Sequence, residues 1–113
     1  MKLLTKEIER KLRKNAALDS AARTDLKPVV KFFDPTGAGT WLFTELDENG
    51  DTLYGLCDPG LGSPELGYVS LNEIASFRGH VFGLGIERDM WFTPKFTLQE
   101  YAEKAAQAGR IVA

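Results

Sequence analysis

Between Val29 and Leu71 the chain alternates short apolar blocks with turn formers: VVKFF, WLFTELD, TLYGLC and LGYVS are separated by DPTGAGT, ENGD and DPGLGSPE. Blocks of this length, rich in aromatic, aliphatic and β-branched residues and bounded by Gly, Pro, Asn and Asp, predict strands over Val29 to Phe33, Trp41 to Asp47, Thr52 to Cys57 and Leu66 to Ser70. Asn49-Gly50 predicts a hairpin, because both residues tolerate the positive φ of a type I′ turn. Asp34-Pro35-Thr36-Gly37 and Asp58-Pro59-Gly60 predict turns. Connections this short favour a meander. Strict alternation in the second strand would put Trp41, Phe43, Glu45 and Asp47 on one face and Leu42, Thr44 and Leu46 on the other. A sheet with one core face and one partly apolar face follows, the second covered by a helix or by a partner.

The flanks read as helical. Thr5 is a candidate N-cap for a helix to about Asn15, in which Leu4, Ile8 and Leu12 repeat every four residues. Residues 16–27 are weakly periodic. Ser70-Leu71-Asn72-Glu73 has the form of a capping box and predicts a short helix to about Arg78, stopped by Gly79. His80 to Gly85 predicts a glycine-punctuated loop, and Ile86 to Thr93 a fifth strand ended by Pro94. Thr97-Leu98-Gln99-Glu100 opens a C-terminal helix to Ala108, closed by Gly109. The expected fold is therefore a single α+β domain over residues 1–113: a basic helical region (1–27), an antiparallel sheet of about five strands with a short inserted helix (28–93), and a C-terminal helix (97–108).

The 43% apolar and 27% charged content is that of an ordinary globular protein. Without a membrane-length apolar run or a charged-then-apolar leader, a cytoplasmic location is the expectation. Charge is unevenly spread. Residues 1–31 carry nine Lys or Arg against four acids, giving +5, while the remainder carries five against twelve, giving −7. The basic end could contact phosphates through Lys6, Arg10, Arg13 and Lys14, although no dense Lys/Arg run or helix-turn-helix accompanies them.

Most other chemistry is excluded by spacing. Asp47, Asn49 and Asp51 surround Gly50, but the glycine comes fourth rather than sixth for a calcium loop. The pairs Gly37/Gly39, Gly60/Gly62 and Gly83/Gly85 lack the third glycine of a dinucleotide fingerprint and the Gly-Lys of a phosphate loop. A single histidine, His80, and a single cysteine, Cys57, make no metal set, and Cys57 reads as a small buried hydrophobe. No cofactor or metal is expected. Glu87-Arg88-Asp89 beside Trp91 is the densest charged-aromatic cluster; alternation would send Glu87, Asp89 and Trp91 to one face and Arg88, Met90 and Phe92 to the other. The two carboxylates could do acid-base work, anchor a partner's cation, or keep an edge strand soluble.

Leu3-Leu4-Thr5, Val30-Lys31-Phe32-Phe33 with Asp34-Pro35, Gly39-Thr40-Trp41, Tyr54-Gly55-Leu56-Cys57, Glu65 through Leu71, Arg78-Gly79, Ile86-Glu87-Arg88-Asp89 and Phe92-Thr93-Pro94 together resemble a small bacterial, often plasmid-borne family known as domain of unknown function 2958. The Gly67-Tyr68-Val69-Ser70-Leu71 and Ile86-Glu87-Arg88-Asp89 blocks are its most specific parts; residues 80–85 depart from it, and no role is carried to His80. The resemblance implies an accessory role for a mobile element, in replication, transfer or interference with host defence. A net charge of −2 is too small for DNA mimicry.

The leading expectation is a non-enzymatic protein-interaction module that presents Trp41, Phe43, Arg78, Glu87, Arg88, Asp89 and Trp91, since aromatic and Arg anchors dominate interface energetics. Nucleic-acid binding through Lys6, Arg10, Arg13 and Lys14 stands second. A hydrolase or transferase built on Glu87 and Asp89 stands third, and no catalytic residue is assigned.

Overall fold

The apolar blocks form β1 (Val30–Phe33), β2 (Thr40–Leu46), β3 (Thr52–Asp58) and β4 (Glu65–Ser70) of an antiparallel sheet, each within one residue of its expected bounds. The computed structural model describes residues 2–80 and 82–113. A two-residue β5 (Glu87–Arg88) completes the sheet in the order β4-β3-β2-β1-β5. The meander thus holds for four strands, and the fifth returns to the far edge to pair Phe32 and Phe33 of β1 with Arg88 and Glu87.

The fifth strand is much shorter than expected because Asp89 ends it. Its side-chain Oδ1 accepts the Trp91 N–H at 2.9 Å, and its carbonyl accepts the Phe92 N–H at 3.3 Å. An Asx-type turn therefore replaces the ladder after Arg88. The expected faces change with it. Arg88 turns toward the N-terminal segment, whereas Phe92 packs against Tyr101 of the C-terminal helix, with ring centroids 6.4 Å apart.

Two further departures lie in the central hairpin. The β2–β3 register runs Phe43↔Gly55 and then Glu45↔Tyr54, so Thr44 is an extra residue, a β-bulge. Alternation resets there. Leu46 joins Phe43 in the same cluster as Leu53 instead of sharing the face of Leu42. Gly55 faces the bulge, and a Cβ placed on it would lie 1.9 Å from the Leu42 carbonyl oxygen; no other residue fits there. The Asn-Gly turn is also a different one. Asp47 N–H bonds the Thr52 carbonyl at 2.9 Å, Gly50 N–H bonds the Asp47 carbonyl at 2.9 Å, and among the described residues only glycines have positive φ. That excludes type I′ and gives a four-residue loop over 48–51 with Gly50 alone left-handed.

Both faces of the sheet are covered, the second by a helix. On the first lies α1 (Lys6–Ala16), capped by the Thr5 hydroxyl, which accepts the Ile8 N–H at 3.1 Å. Ile8 and Leu12 of this helix, with Leu4 just before its cap, pack onto Val30, Phe32, Phe43, Leu46 and Leu53. The short α2 (Leu71–Ser76) adds Ile74 to this layer. It ends before Arg78 and Gly79, because Phe77 has extended backbone (φ −62°, ψ 138°). On the second face α3 (Leu98–Ala108) packs Leu98, Tyr101 and Ala105 on Leu42 and Leu56. Its expected capping box is complete: Thr97 N–H donates to Glu100 at 2.9 Å and Glu100 N–H to the Thr97 hydroxyl at 3.2 Å. A single 3-10 turn, Ser20–Arg23, bridges α1 to β1.

Two buried or half-buried aspartates lock the connections. The Asp51 carboxylate accepts the Ser70 hydroxyl at 2.7 Å and the Asn72 N–H at 2.8 Å, so the β2–β3 loop anchors the start of α2. Asp58, 2% exposed, accepts the N–H groups of Gly60 and Ile111. That fastens the segment after α3 to the end of β3.

Candidate functional site

The residues expected to form a partner surface do not converge. Phe43 is wholly buried, edge-to-face with Phe32 at 5.6 Å. It is a core residue, because its strand face is the one α1 covers. Trp41 is half-buried on the same face and lines a groove of about 250 Å³ with Val69, Ile74, Phe77 and Ile86. The Arg88 guanidinium donates to the carbonyls of Lys2 and Leu3 at 2.7 and 2.9 Å, tying the N-terminal segment to β5. Asp89 is 3.5 Å from the Lys31 ammonium. Trp91 projects from the following turn and is 89% exposed.

Arg78 and Glu87 do share a cleft, of about 550 Å³, between residues 2–4, α2 and residues 83–87. The Arg78 guanidinium is turned back on the carbonyls of Ala75 and Phe77 at 3.0 and 2.6 Å, where it caps the end of α2. Its charge is spent on the fold. Among the described residues no group of three or more His, Cys, Asp and Glu is placed to hold a metal. Of the loop expected over residues 80–85, Val81 lies outside the described residues, and His80 is exposed.

The basic helix is partly self-neutralised. Arg13 is 3.0 Å from Glu9 and also donates to the Glu48 carbonyl at 3.3 Å, and Lys11 is 3.6 Å from Glu7. Lys6, Arg10 and Lys14 are exposed at four-residue spacing along one line of α1.

The surface that sequence reasoning missed is the outer edge of β4. Within the described sheet β4 pairs only with β3, so its far side is a free edge. Pairing places Leu66 and Tyr68 beside Leu56 and Tyr54, on the face that α3 covers only in part. Tyr68 is 73% and Leu66 39% exposed. The Tyr54 and Tyr68 rings lie 4.9 Å apart at 52°, a tilted aromatic contact across the two strands. Burial, then the neighbouring Tyr68, Glu45 and Cys57, raise the Tyr54 pKa, favouring its neutral phenol.

A groove of about 340 Å³ runs beside it, walled by Arg23, Leu26, Glu45, Tyr54, Leu66 and Leu98. Arg23 and Glu45 close one side as an ion pair at 3.0 Å. The only charged side chain on β4 is Glu65, at its end. Natural edge strands are usually blunted by charge, Pro or a bulge, and from Leu66 to Ser70 β4 has none of these, Pro64 and Glu65 standing at its start. The alternation Leu66-Gly67-Tyr68-Val69 carried the signal, but nothing in the sequence marked β4 as the edge.

Among the helices described, none is long and apolar enough to cross a membrane. No curated protein and no solved structure matches the chain. One family model does, over residues 3–112, and the chain belongs to that family, described as "Protein of unknown function (DUF2958)".

Proposed function

We propose that this protein is a non-enzymatic interaction module that docks an extended protein segment along β4, in the cytoplasm, as an accessory protein of a plasmid or other mobile element. The observation that supports it is the combination on one edge of an open ladder, a 73% exposed Tyr68 and an exposed Leu66, with charge and proline confined to Glu65 and Pro64 at the start of the strand. Strand addition would draw affinity from the backbone and specificity from the Tyr68 and Leu66 side chains. Trp91 is a separate exposed anchor, while Glu87 lines the cleft beside Arg78 and Asp89 lies against Lys31.

The experiment is affinity capture with the tagged protein from a bacterial lysate, in parallel for the parent chain, Tyr68→Lys and Trp91→Ala, with and without nuclease. A protein retained after nuclease and lost with Tyr68→Lys supports the reading. Retention by Tyr68→Lys and loss with Trp91→Ala moves the docking surface to the turn after β5.

Nucleic-acid contact is the second reading, favoured by the exposed line of Lys6, Arg10 and Lys14. It requires binding to duplex or single-stranded DNA that weakens steeply with salt and on replacing those three residues; salt-insensitive or absent binding removes it.

A further inference from the structure

Ladder geometry fixes which backbone groups of β4 are free. The Leu71 N–H donates to the Asp51 carbonyl at 2.7 Å, and the β3–β4 register continues from there through Leu53↔Val69, Gly55↔Gly67 and Cys57↔Glu65. In an antiparallel ladder every second pair exchanges hydrogen bonds. The odd-numbered residues of β4 therefore point their N–H and C=O groups at β3. Leu66, Tyr68 and Ser70 point theirs outward, and Leu66 and Tyr68 are also the two that carry the exposed apolar side chains.

We infer that β4 pairs with β4 of a second copy, antiparallel about a two-fold axis at Gly67, to make one continuous ten-stranded sheet. This rests on reading the β4 edge as the docking edge and names its occupant. In that register Leu66 and Tyr68 of one copy face Tyr68 and Leu66 of the other. Their outward N–H and C=O groups pair reciprocally, and each Tyr68 lies on the other copy's Leu66. Side chains that face each other share a face, as sheet pairing demands.

The arrangement is self-complementary in charge and in space. Glu65 falls opposite Val69, so no like charges meet, and the axis passes through Gly67, where an added Cβ meets nothing within 4 Å. One short strand per copy buries less than the roughly 800 Å² per partner of a standard stable interface. The dimer is therefore concentration-dependent and exchanges with monomer.

Gly67 supplies the test. In this register the Gly67 pair is the close, non-hydrogen-bonded kind, about 4.5 Å between Cα atoms, within disulfide range. Gly67→Cys should form an interchain disulfide under mild oxidation much faster than Leu61→Cys, which is 83% exposed off the axis and reports random collision. Burial pushes the Cys57 thiol up to about 11, which slows its own oxidation. Adding Tyr68→Lys to Gly67→Cys should abolish the difference.

Sedimentation of the parent chain should show mass rising toward the dimer with concentration, and Tyr68→Lys should weaken association at least tenfold while leaving the circular dichroism unchanged. A parent chain that stays monomeric, a dimer indifferent to Tyr68→Lys, or equal cross-linking at 67 and 61 overturns the inference. A monomeric parent chain whose captured partner is still lost with Tyr68→Lys overturns the self-pairing alone and leaves the docking edge standing.

Discussion

Replacing Gly55 with alanine tests the packing at the bulge directly. The added Cβ would sit 1.9 Å from the Leu42 carbonyl oxygen and 2.8 Å from both the Leu42 carbonyl carbon and the Phe43 Cα. All three are backbone atoms, so no side chain can swing away. Real Cβ contacts essentially never fall below 3.0 Å, so β2 and β3 must part by about 1.1 Å at least. They must do so between the wholly buried Leu42 and Phe43, loosening the clusters on both faces at once. Overpacking of a core typically costs about 1–3 kcal/mol, and here backbone displacement puts the cost at the top of that range, about 3 kcal/mol. For a chain of this size that lowers the melting temperature by roughly 12 °C.

Gly67→Ala is the matched control. It also lies in a strand, but its Cβ meets nothing within 4 Å and its φ is ordinary. Reducing unfolded-state freedom should then leave stability unchanged or raise it by up to about 1 kcal/mol. Urea and thermal unfolding followed by circular dichroism measure both. If the two variants unfold within about 0.5 kcal/mol of each other, the close approach at the bulge is not what makes Gly55 necessary, and the reasoning fails.

Asp51→Ala should cost about 1–2 kcal/mol in urea unfolding and raise amide exchange at Leu71 to Ile74, because the carboxylate that holds Ser70 and Asn72 is lost; unchanged exchange there would refute its capping role. Cys57 should label slowly with a disulfide reagent at pH 8, since a thiol at about 11 rather than its ordinary value of 9.0 carries about a hundredfold less thiolate; labelling at the rate of a free cysteine would contradict its burial. The same raised pKa means the folded state holds the proton more tightly. Its stability contribution is thus complete below about pH 9 and is lost as pH rises through about 11, an alkaline slope that Cys57→Ala should flatten.

Where composition and punctuation agreed, the fold was legible: the four apolar blocks, the Thr5 cap and the Thr97–Glu100 box all formed as read. The misreadings share a physical origin, a local group competing with the periodic pattern. Thr44 enters as an extra residue and moves Leu46 across the sheet, a shift that Gly55 in a strand interior could have announced. Asp89 bonds its own downstream backbone and stops β5. Asn49 likewise accepts from the Asp51 and Thr52 N–H groups at 2.8 and 2.9 Å, which shapes the longer loop.

The candidate site was less legible for a different reason. Exposure depends on strand order, and whether Tyr68 faces a neighbour or solvent is decided by β5 returning to β1 instead of to β4. The charged-aromatic cluster that drew attention in the sequence proves to be largely internal wiring, with Arg88 on the carbonyls of residues 2 and 3 and Asp89 beside Lys31.

Residue-resolved amide exchange of β4 as protein concentration rises from micromolar to millimolar tests the docking edge most directly. The account predicts that Gly67 and Val69, bonded to β3, are protected throughout, while Leu66 and Tyr68 exchange fast in dilute solution and become protected as copies pair. Leu66 and Tyr68 remaining fast at every concentration and in the presence of any captured protein, with new protection appearing along α1 or around Trp91, would contradict it.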